Sequence, residues 1–301
     1  MQGEWPVRPL QPAFIHLPFD SSQKVINSRG ASMTEQLLYQ SDFKDLTTYL
    51  QVLQRLPELT RSFKVHLDQV PLAGRSADPI PELRNVLDRA YKDLSVWSTL
   101  MPKLMAMHRR LDALTAELTQ FSGNATQHQK LAVQLRGSAG DRLIAFENEF
   151  DNEEQTVQKL TQGICTILPR LIDFLNDAIS RYSRKFGLKP GNPLRENLAN
   201  ALPLSFGAPD AIDAQERLFR AQGYAYRASG WYTRAYTAAS NLGAYLSRMW
   251  ELLWACVGSI IGVRKADTPS RDRLASGLLL VNVREIQRLS KGFDTGQELT
   301  A

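Results

Sequence analysis

Apolar residues spaced three and four positions apart over long stretches constrain this chain more than any other feature of its sequence. In the segment 81–121, the apolar side chains from Leu83 to Leu118 fall on one broad face of a helix, which is typical of an amphipathic helix. The sequence shows neither a regular alternation of apolar and polar residues nor an Asn-Gly hairpin turn, the usual signs of strands. The pattern therefore predicts an all-α protein.

Breaks rich in proline and glycine divide the helical pattern into long pieces. The spacing predicts helices over about 34–69, 81–121, 125–186, 210–263 and 271–291. Kinks or interruptions are expected inside them at Pro57, Pro102, Gly137, Gly140, Gly163 and Pro169. Long helices joined in this way predict an elongated antiparallel bundle of four to five helices.

The composition of the N-terminus sets it apart from the helical region. It contains the four prolines Pro6, Pro9, Pro12 and Pro18, and each removes a backbone donor and restricts the residue before it. The sequence therefore predicts an extended Pro-rich N-terminal arm (1–33), a helical bundle domain (34–291) and a C-terminal tail (292–301). Because the arm lacks the basic start and apolar run of a secretory signal, we expect synthesis in the cytoplasm and, for a membrane-associated protein, export by another route.

Charge and motifs narrow the function by what they exclude. The formal net charge of +5 permits attraction to anionic lipid or nucleic acid without requiring it. Neither the two cysteines, Cys165 and Cys256, nor the four histidines show the spacing of a metal site. Phosphate-binding and nucleophile motifs are missing too, so the sequence predicts a protein that is not an enzyme, with no cofactor and no small-molecule substrate.

Residues 220–254 repeat every seven positions. One column of this repeat is basic, with Asn241 at its single gap, and contains Arg220, Arg227, Arg234 and Arg248. Another column is largely aromatic and contains Tyr224, Trp231, Ala238, Tyr245 and Leu252. Since positions seven apart lie nearly in line on a helix, the repeat predicts an arginine stripe beside an aromatic stripe.

The most apolar run of the chain, 249–263, follows directly. It contains Trp250, Trp254 and one acid, Glu251, which is expected to pair with Arg248. The run is shorter than the about 20 residues that cross a bilayer, so it is either a buried core helix or a segment stored in the fold and released into a membrane. A second apolar patch covers 274–283, and the inward side chains predicted for its helix are Leu274, Leu278, Val281, Ile286 and Leu289.

Three interpretations of the arginine stripe stay open. The arginines could face water or pair with carboxylates of a neighbouring helix, such as the acid-rich segment 147–154, they could contact a lipid surface, or they could bind nucleic acid with the aromatic rings stacking on bases. The residues predicted to contact a membrane or a partner are Arg220, Arg227, Trp231, Arg234, Tyr245, Arg248, Trp250 and Trp254.

The layout of long amphipathic helices around an apolar element resembles the α-helical pore-forming toxins of the cytolysin A and α-xenorhabdolysin type. The resemblance covers roughly residues 34–291 and rests on architecture rather than on a motif. It implies a helical bundle that hides an apolar element and then rearranges and oligomerises in a membrane. In this chain the strongest apolar run is 249–263, and the connection 187–209 is only mildly apolar.

Three functions are consistent with these observations. The first is a membrane-active helical protein, pore-forming toxin-like or a subunit of one, that exposes an apolar helix when it forms a homo- or hetero-oligomer. The second is a helical scaffold or assembly subunit, and the third is a basic, nucleocapsid-like binder of nucleic acid.

Overall fold

The computed structural model describes residues 38–68, 80–186 and 214–297, all of which belong to the compact unit Gln36–Ala301. Nearly every described residue is helical. The helices are α1 (Gln40–Asp68), α2 (Ile80–Thr119), α3 (Ala125–Arg136), α4 (Ser138–Phe186), α5 (Ala214–Lys265) and α6 (Pro269–Gln297). The prediction of an all-α protein is confirmed.

The predicted arm (1–33) and the connection 187–209 lie outside the described residues, and so does the predicted start of the first helix near Thr34. Within the described part α1 begins at Gln40, where the Asp42 carboxylate accepts a hydrogen bond of 2.9 Å from the backbone N–H of Tyr39. The last helix continues beyond its expected end at Lys291 to Gln297. The division into arm, bundle and tail stays a prediction.

Prolines interrupt the helices less than expected. Pro57, Pro102 and Pro169 lie inside α1, α2 and α4, and each helix continues past them. Pro57 and Pro102 are exposed and Pro169 is half-buried, so the lost backbone hydrogen bond lies away from the core. Packing of the opposite, apolar faces offsets that loss, since tertiary contacts supply most of the stability of helices in proteins.

Among the predicted glycine breaks, the structure confirms the one at Gly137. Gly137 separates α3 from α4, whereas Gly140 and Gly163 lie within α4. Gly140 is needed for a close approach, because a Cβ there would lie 2.0 Å from the backbone carbonyl oxygen of Leu135. Gly163 likewise faces the Asp93 side chain of α2, where a Cβ would lie 1.9 Å from a carboxylate oxygen.

Helix α5 runs antiparallel to α4. Arg264 donates a hydrogen bond to Asp141, and the Tyr232 hydroxyl lies 4.0 Å from the sulfur of Cys165. As the residue number rises along α5, its partner's number falls along α4. The antiparallel packing predicted for the bundle is confirmed for this pair of helices, and α4 buries Ile164, Leu168, Leu171 and Leu175 in the core.

The inward face of α6 differs from the prediction. Leu274, Leu278 and Val281 are exposed at 67%, 55% and 62%, so their predicted burial is wrong, while Ile286 and Leu289 are buried as expected. The inward side chains of this helix include Leu279, Leu280, Val283 and Phe293. Because apolar residues occupy every side of 274–283, the spacing alone could not select the buried face.

The α3–α4 corner gives a test of the fold. Gly140→Ala is expected to lower the free energy of unfolding by about 1–3 kcal/mol, because the new methyl group overlaps the Leu135 carbonyl and the backbone has to shift. Gly277→Ala on α6 is the matched control, since a Cβ there meets nothing within 4 Å and alanine favours a helix. Thermal unfolding followed by circular dichroism measures both variants, and equal stability of the two would contradict this packing.

Candidate membrane or partner interface

The basic column of α5 runs beside α1. Arg234 lies 3.7 Å from the carboxylate of Asp45 on α1, and Asn241, at the gap in the column, donates a 3.0 Å hydrogen bond to Asp42. Both acids belong to the first part of α1. Arg248 pairs within its own helix with Glu251 at 2.8 Å, which confirms that prediction.

The N-terminal part of this basic column is less exposed than its C-terminal part. Arg220 and Arg227 are half-buried, and the Arg227 guanidinium lies 5.3 Å from the centre of the Tyr224 ring. Burial lowers the pKa of Arg227, because a desolvated guanidinium holds its proton less strongly. These two arginines therefore pack on the helix surface as well as carrying charge.

The acid-rich segment 147–154 faces other partners. Glu149 pairs with Arg110 and Glu153 with Lys103, both from α2, and Glu147 accepts a 2.7 Å hydrogen bond from the Trp250 indole. Among the described residues these acids form no ion pair with the arginine stripe, whereas Arg234 pairs with a carboxylate of another neighbouring helix, Asp45 of α1. The two groups do not meet because Arg234 faces α1, whereas the acids face α2 and the C-terminal part of α5.

The aromatic column faces the interior. Tyr224, Trp231 and Tyr245 are exposed by 2%, 8% and 2%, and the rings of Tyr224 and Trp231 meet edge-on with centroids 6.0 Å apart. Burial raises the pKa of the Tyr224 hydroxyl above its ordinary value. In this fold the rings are enclosed by their own bundle, and they are not available for stacking on nucleic-acid bases.

A buried aromatic cluster around His108 joins helices from different parts of the chain. His108 is fully buried on α2, and its ring stacks on Phe293 of α6 with centroids 3.9 Å apart. Its Nδ1 lies 2.7 Å from the Leu104 carbonyl, which can only accept, so Nδ1 donates. In the neutral ring Nε2 then accepts a 2.7 Å hydrogen bond from the Tyr245 hydroxyl of α5.

Sequence reasoning considered His108 only as a metal ligand and missed this cluster. The available signal was spacing, since His108 follows Leu104 by four positions and precedes Leu111 by three on the apolar face of α2. Among the described residues no three His, Cys, Asp or Glu side chains converge as a metal site. The chemistry of the cluster is that of a satisfied, buried hydrogen-bond network.

The apolar run 249–263 has a buried and an exposed side. Its buried side chains include Met249, Leu253, Cys256, Ile260 and Val263. Trp250 is half-buried, whereas Trp254 and Ile261 are exposed at 59% and 45%. Of the eight residues predicted to contact a membrane or partner, Trp254 is thus the large aromatic side chain that the closed bundle presents to its surroundings.

Helix α5 also meets a simple test for crossing a bilayer. Within the described residues, Arg220–Lys265 is long and apolar enough by length and composition, with a mean hydropathy of 1.3 in its apolar window. Core helices of soluble proteins can pass the same test. In this case 44% of the window is buried, so the apolar helix serves both as core and as surface.

Long antiparallel helices packed around one central apolar helix place this chain in the class of all-α bundles. Among solved structures, XaxA from Xenorhabdus nematophila matches with a TM-score of 0.51 and 11% identity, over 88% of this chain and 99% of that one. The soluble AhlC triple head mutant of the tripartite α-pore forming toxin AHL from Aeromonas hydrophila matches with a TM-score of 0.33 and 17% identity, over 84% and 97%. No protein-family model matches the sequence, and no curated protein matches it.

The similarity to XaxA establishes the fold of this chain. It confirms, at the level of architecture, the resemblance of this helical bundle to proteins of the α-xenorhabdolysin type. Since one fold hosts unrelated functions, its action depends on its own surfaces and segments.

The His108 cluster yields a stability prediction. Tyr245→Phe removes the hydroxyl that donates to Nε2 of His108 inside the core, and we expect a loss of about 1–3 kcal/mol in the free energy of unfolding. Tyr236→Phe on the same helix is the matched control, because Tyr236 is 43% exposed and its hydroxyl can bond to water. Urea unfolding measures both, and a Tyr245→Phe variant as stable as the control would show that this hydrogen bond contributes nothing.

Proposed function

We propose that this chain is a membrane-active helical protein, pore forming or a subunit of a pore-forming assembly. In this proposal the apolar run 249–263 leaves the bundle when the protein oligomerises, and enters lipid. The observation that supports it most directly is a membrane-length apolar helix, α5, at the centre of a fold shared with XaxA.

Release of the run requires a surface that replaces the core. Fully burying a side chain such as Leu253, Ile260 or Val263 stabilises by about 1.5–3 kcal/mol relative to water, and all three are buried in the closed bundle. Exposing all of these side chains to water would therefore cost several times the free energy of burying one of them. A bilayer or the apolar face of a neighbouring subunit offers these side chains an equivalent environment, so release is coupled to lipid or to assembly.

The polar contacts that hold the run are few and lie at its two ends. At one end the Trp250 indole donates to Glu147, and at the other Arg264 pairs with Asp141. Arg136 also donates a 3.1 Å hydrogen bond to the Val263 carbonyl. Exposed ion pairs contribute about 0–1 kcal/mol each, so anionic headgroups can replace the Arg264–Asp141 contact at little cost.

The length of the run constrains how it lies in a bilayer. As a helix, 249–263 is about 22 Å long at about 1.5 Å per residue, whereas the hydrocarbon core is about 30 Å thick. Extension back to Leu242 supplies the missing length and places Arg248 inside the inserted segment. A long arginine side chain can reach the headgroups from there, and the Arg248–Glu251 pair reduces the charge that enters lipid.

A disulfide between α5 and α6 tests the release. A Cβ at Gly262 would lie 3.4 Å from the Cβ of Ala275, close to the separation in natural disulfides. We expect Gly262→Cys/Ala275→Cys, oxidised, to release little dye from vesicles, and the reduced form to release it as the wild type does. The exposed Cys165 is replaced by Ser, while Cys256 stays, because burial raises the pKa of its thiol to about 12.

The single variants Gly262→Cys and Ala275→Cys, treated with the same oxidant, are the controls. Both keep the substitutions but cannot form the bond, so they are expected to release dye under either condition. Equal release by the oxidised and reduced double variants would show that 249–263 does not separate from α6. A wild-type protein that neither binds vesicles nor releases dye, alone or with a partner protein, would remove the membrane function itself.

A further inference from the structure

We propose that the outer surface of the α5–α6 hairpin docks on anionic lipid headgroups while the bundle is still closed. The apolar side chains of this surface, called the hairpin ridge below, are Trp254, Ile261, Leu274, Leu278 and Val281. The proposal rests on the membrane function above and names the surface of first contact. The ridge acts before release of 249–263 and does not require it.

The side chains of the ridge lie on one continuous surface. On α6, Leu274, Leu278 and Val281 follow a spacing of four and three, which keeps them on one face, and Trp254 and Ile261 are likewise seven apart on α5. The contact of Gly262 with Ala275 fixes the antiparallel register of the two helices. That register sets Ile261 level with Ser276, two residues from Leu274, and Gly258 level with Leu279, next to Leu278.

Small residues of α5 lie between the two rows of large side chains that form the ridge. Ala255 and Gly258 are exposed on α5, and a Cβ at Gly258 would meet nothing within 4 Å. The surface between the two rows of large side chains is therefore shallow and open. Single exposed apolar residues are ordinary on protein surfaces, but a contiguous group of this kind marks an interaction site.

Charge around the ridge indicates what it binds. Every acid between Arg248 and Lys291 already has a basic partner, in the pairs Glu251–Arg248, Asp267–Arg271, Asp272–Arg136 and Glu285–Arg288. Among the described residues no ion pair involves Lys265, Arg273 or Arg284, and all three are exposed along the hairpin. The border of the ridge therefore carries cations without matching acids.

An apolar ridge with a cationic border is the pattern of a helix that lies in the membrane interface. The apolar side chains enter the boundary between headgroups and acyl chains, and the cations remain among lipid phosphates. Each Lys or Arg near an anionic leaflet adds to the attraction. A second copy of the same face would instead place Lys265, Arg273 and Arg284 against like charges, which disfavours a symmetric dimer through the ridge.

The ridge lies at one end of the bundle. The pairs Arg264–Asp141 and Arg136–Asp272 hold the α5–α6 turn against the corner where α3 meets α4. The C-terminus of α4 and the N-terminus of α5 lie at the opposite end, because the two helices are antiparallel. Docking through the ridge would therefore bring the α3–α4 corner towards the membrane, together with the ion pair between Arg264 and Asp141.

Flotation with vesicles tests the docking in the full-length protein. The variant Leu274→Gln/Leu278→Gln/Val281→Thr removes apolar surface that is more than half exposed, so the fold is expected to persist. We expect its partitioning onto vesicles of phosphatidylcholine with phosphatidylglycerol to fall about tenfold or more. The matched control is Tyr91→Gln/Val96→Thr on α2, whose side chains are 76% and 40% exposed, and it should bind as the wild type does.

The cationic border has its own variant. Lys265→Gln/Arg273→Gln/Arg284→Gln should weaken partitioning about tenfold on vesicles that contain phosphatidylglycerol and change it little on pure phosphatidylcholine. An equal change of charge at exposed sites elsewhere, Arg109→Gln/Lys159→Gln/Arg170→Gln, is the control for net charge. Equal losses for the border and control variants would show that net charge, rather than this surface, attracts the lipid.

The disulfide variant separates docking from release. Oxidised Gly262→Cys/Ala275→Cys keeps α5 and α6 together, so it should float with anionic vesicles while releasing little dye. Wild-type binding by the ridge variant would overturn the docking surface and leave the release of 249–263 standing. Self-association in lipid-free buffer that the ridge variant loses would also overturn it, since the ridge would then be a contact between copies of this chain.

Discussion

The packing of α5 in the centre of the bundle is the interaction on which the rest of the structure depends. Along its length α5 contacts α1, α3, α4 and α6, and its inward surface is lined with small residues at Ala221, Ala228, Ala235, Ala238 and Ala239. Small side chains let neighbouring helices approach closely. Towards the C-terminal end of α5, the inward surface carries the larger aliphatic side chains Leu246, Leu253 and Ile260, which form part of the hydrophobic core.

This central position explains where the two stripes of α5 lie. Because α5 has neighbours on several sides, its aromatic column packs inward and its arginines lie at the margins of these contacts. Arg234 meets Asp45 of α1, and burial raises the pKa of that carboxyl although Arg234 opposes the shift. Exposed pairs of this kind contribute little stability. The stripe is therefore organised mainly by the packing of the rings beside it.

Sequence periodicity was sufficient for the all-α class and for most helices, because long amphipathic segments carry a strong signal. It failed where apolar residues surround a helix: Leu274, Leu278 and Val281 looked as suited to the core as Leu279, Leu280 and Val283. The choice between those faces depends on what α5 and α3 present to α6. The same limit applied to His108, whose partners Tyr245 and Phe293 are distant in sequence and could be found only from the packing of three helices.

For the proposed membrane function, the two sides of 249–263 have consequences for the order of events. Leu253, Ile260 and Val263 face the core, while Trp254 and Ile261 face outward beside α6. The outward side can therefore meet lipid without any loss of internal packing, whereas the inward side can meet it only after α5 leaves its neighbours. In the proposed docking, lipid bound on the outside would also bring anionic headgroups to Arg264, the cation that pairs with Asp141 at the end of α5. Because such docking would cost no core contacts and would weaken this pair, we expect it to precede release in a pathway that uses both.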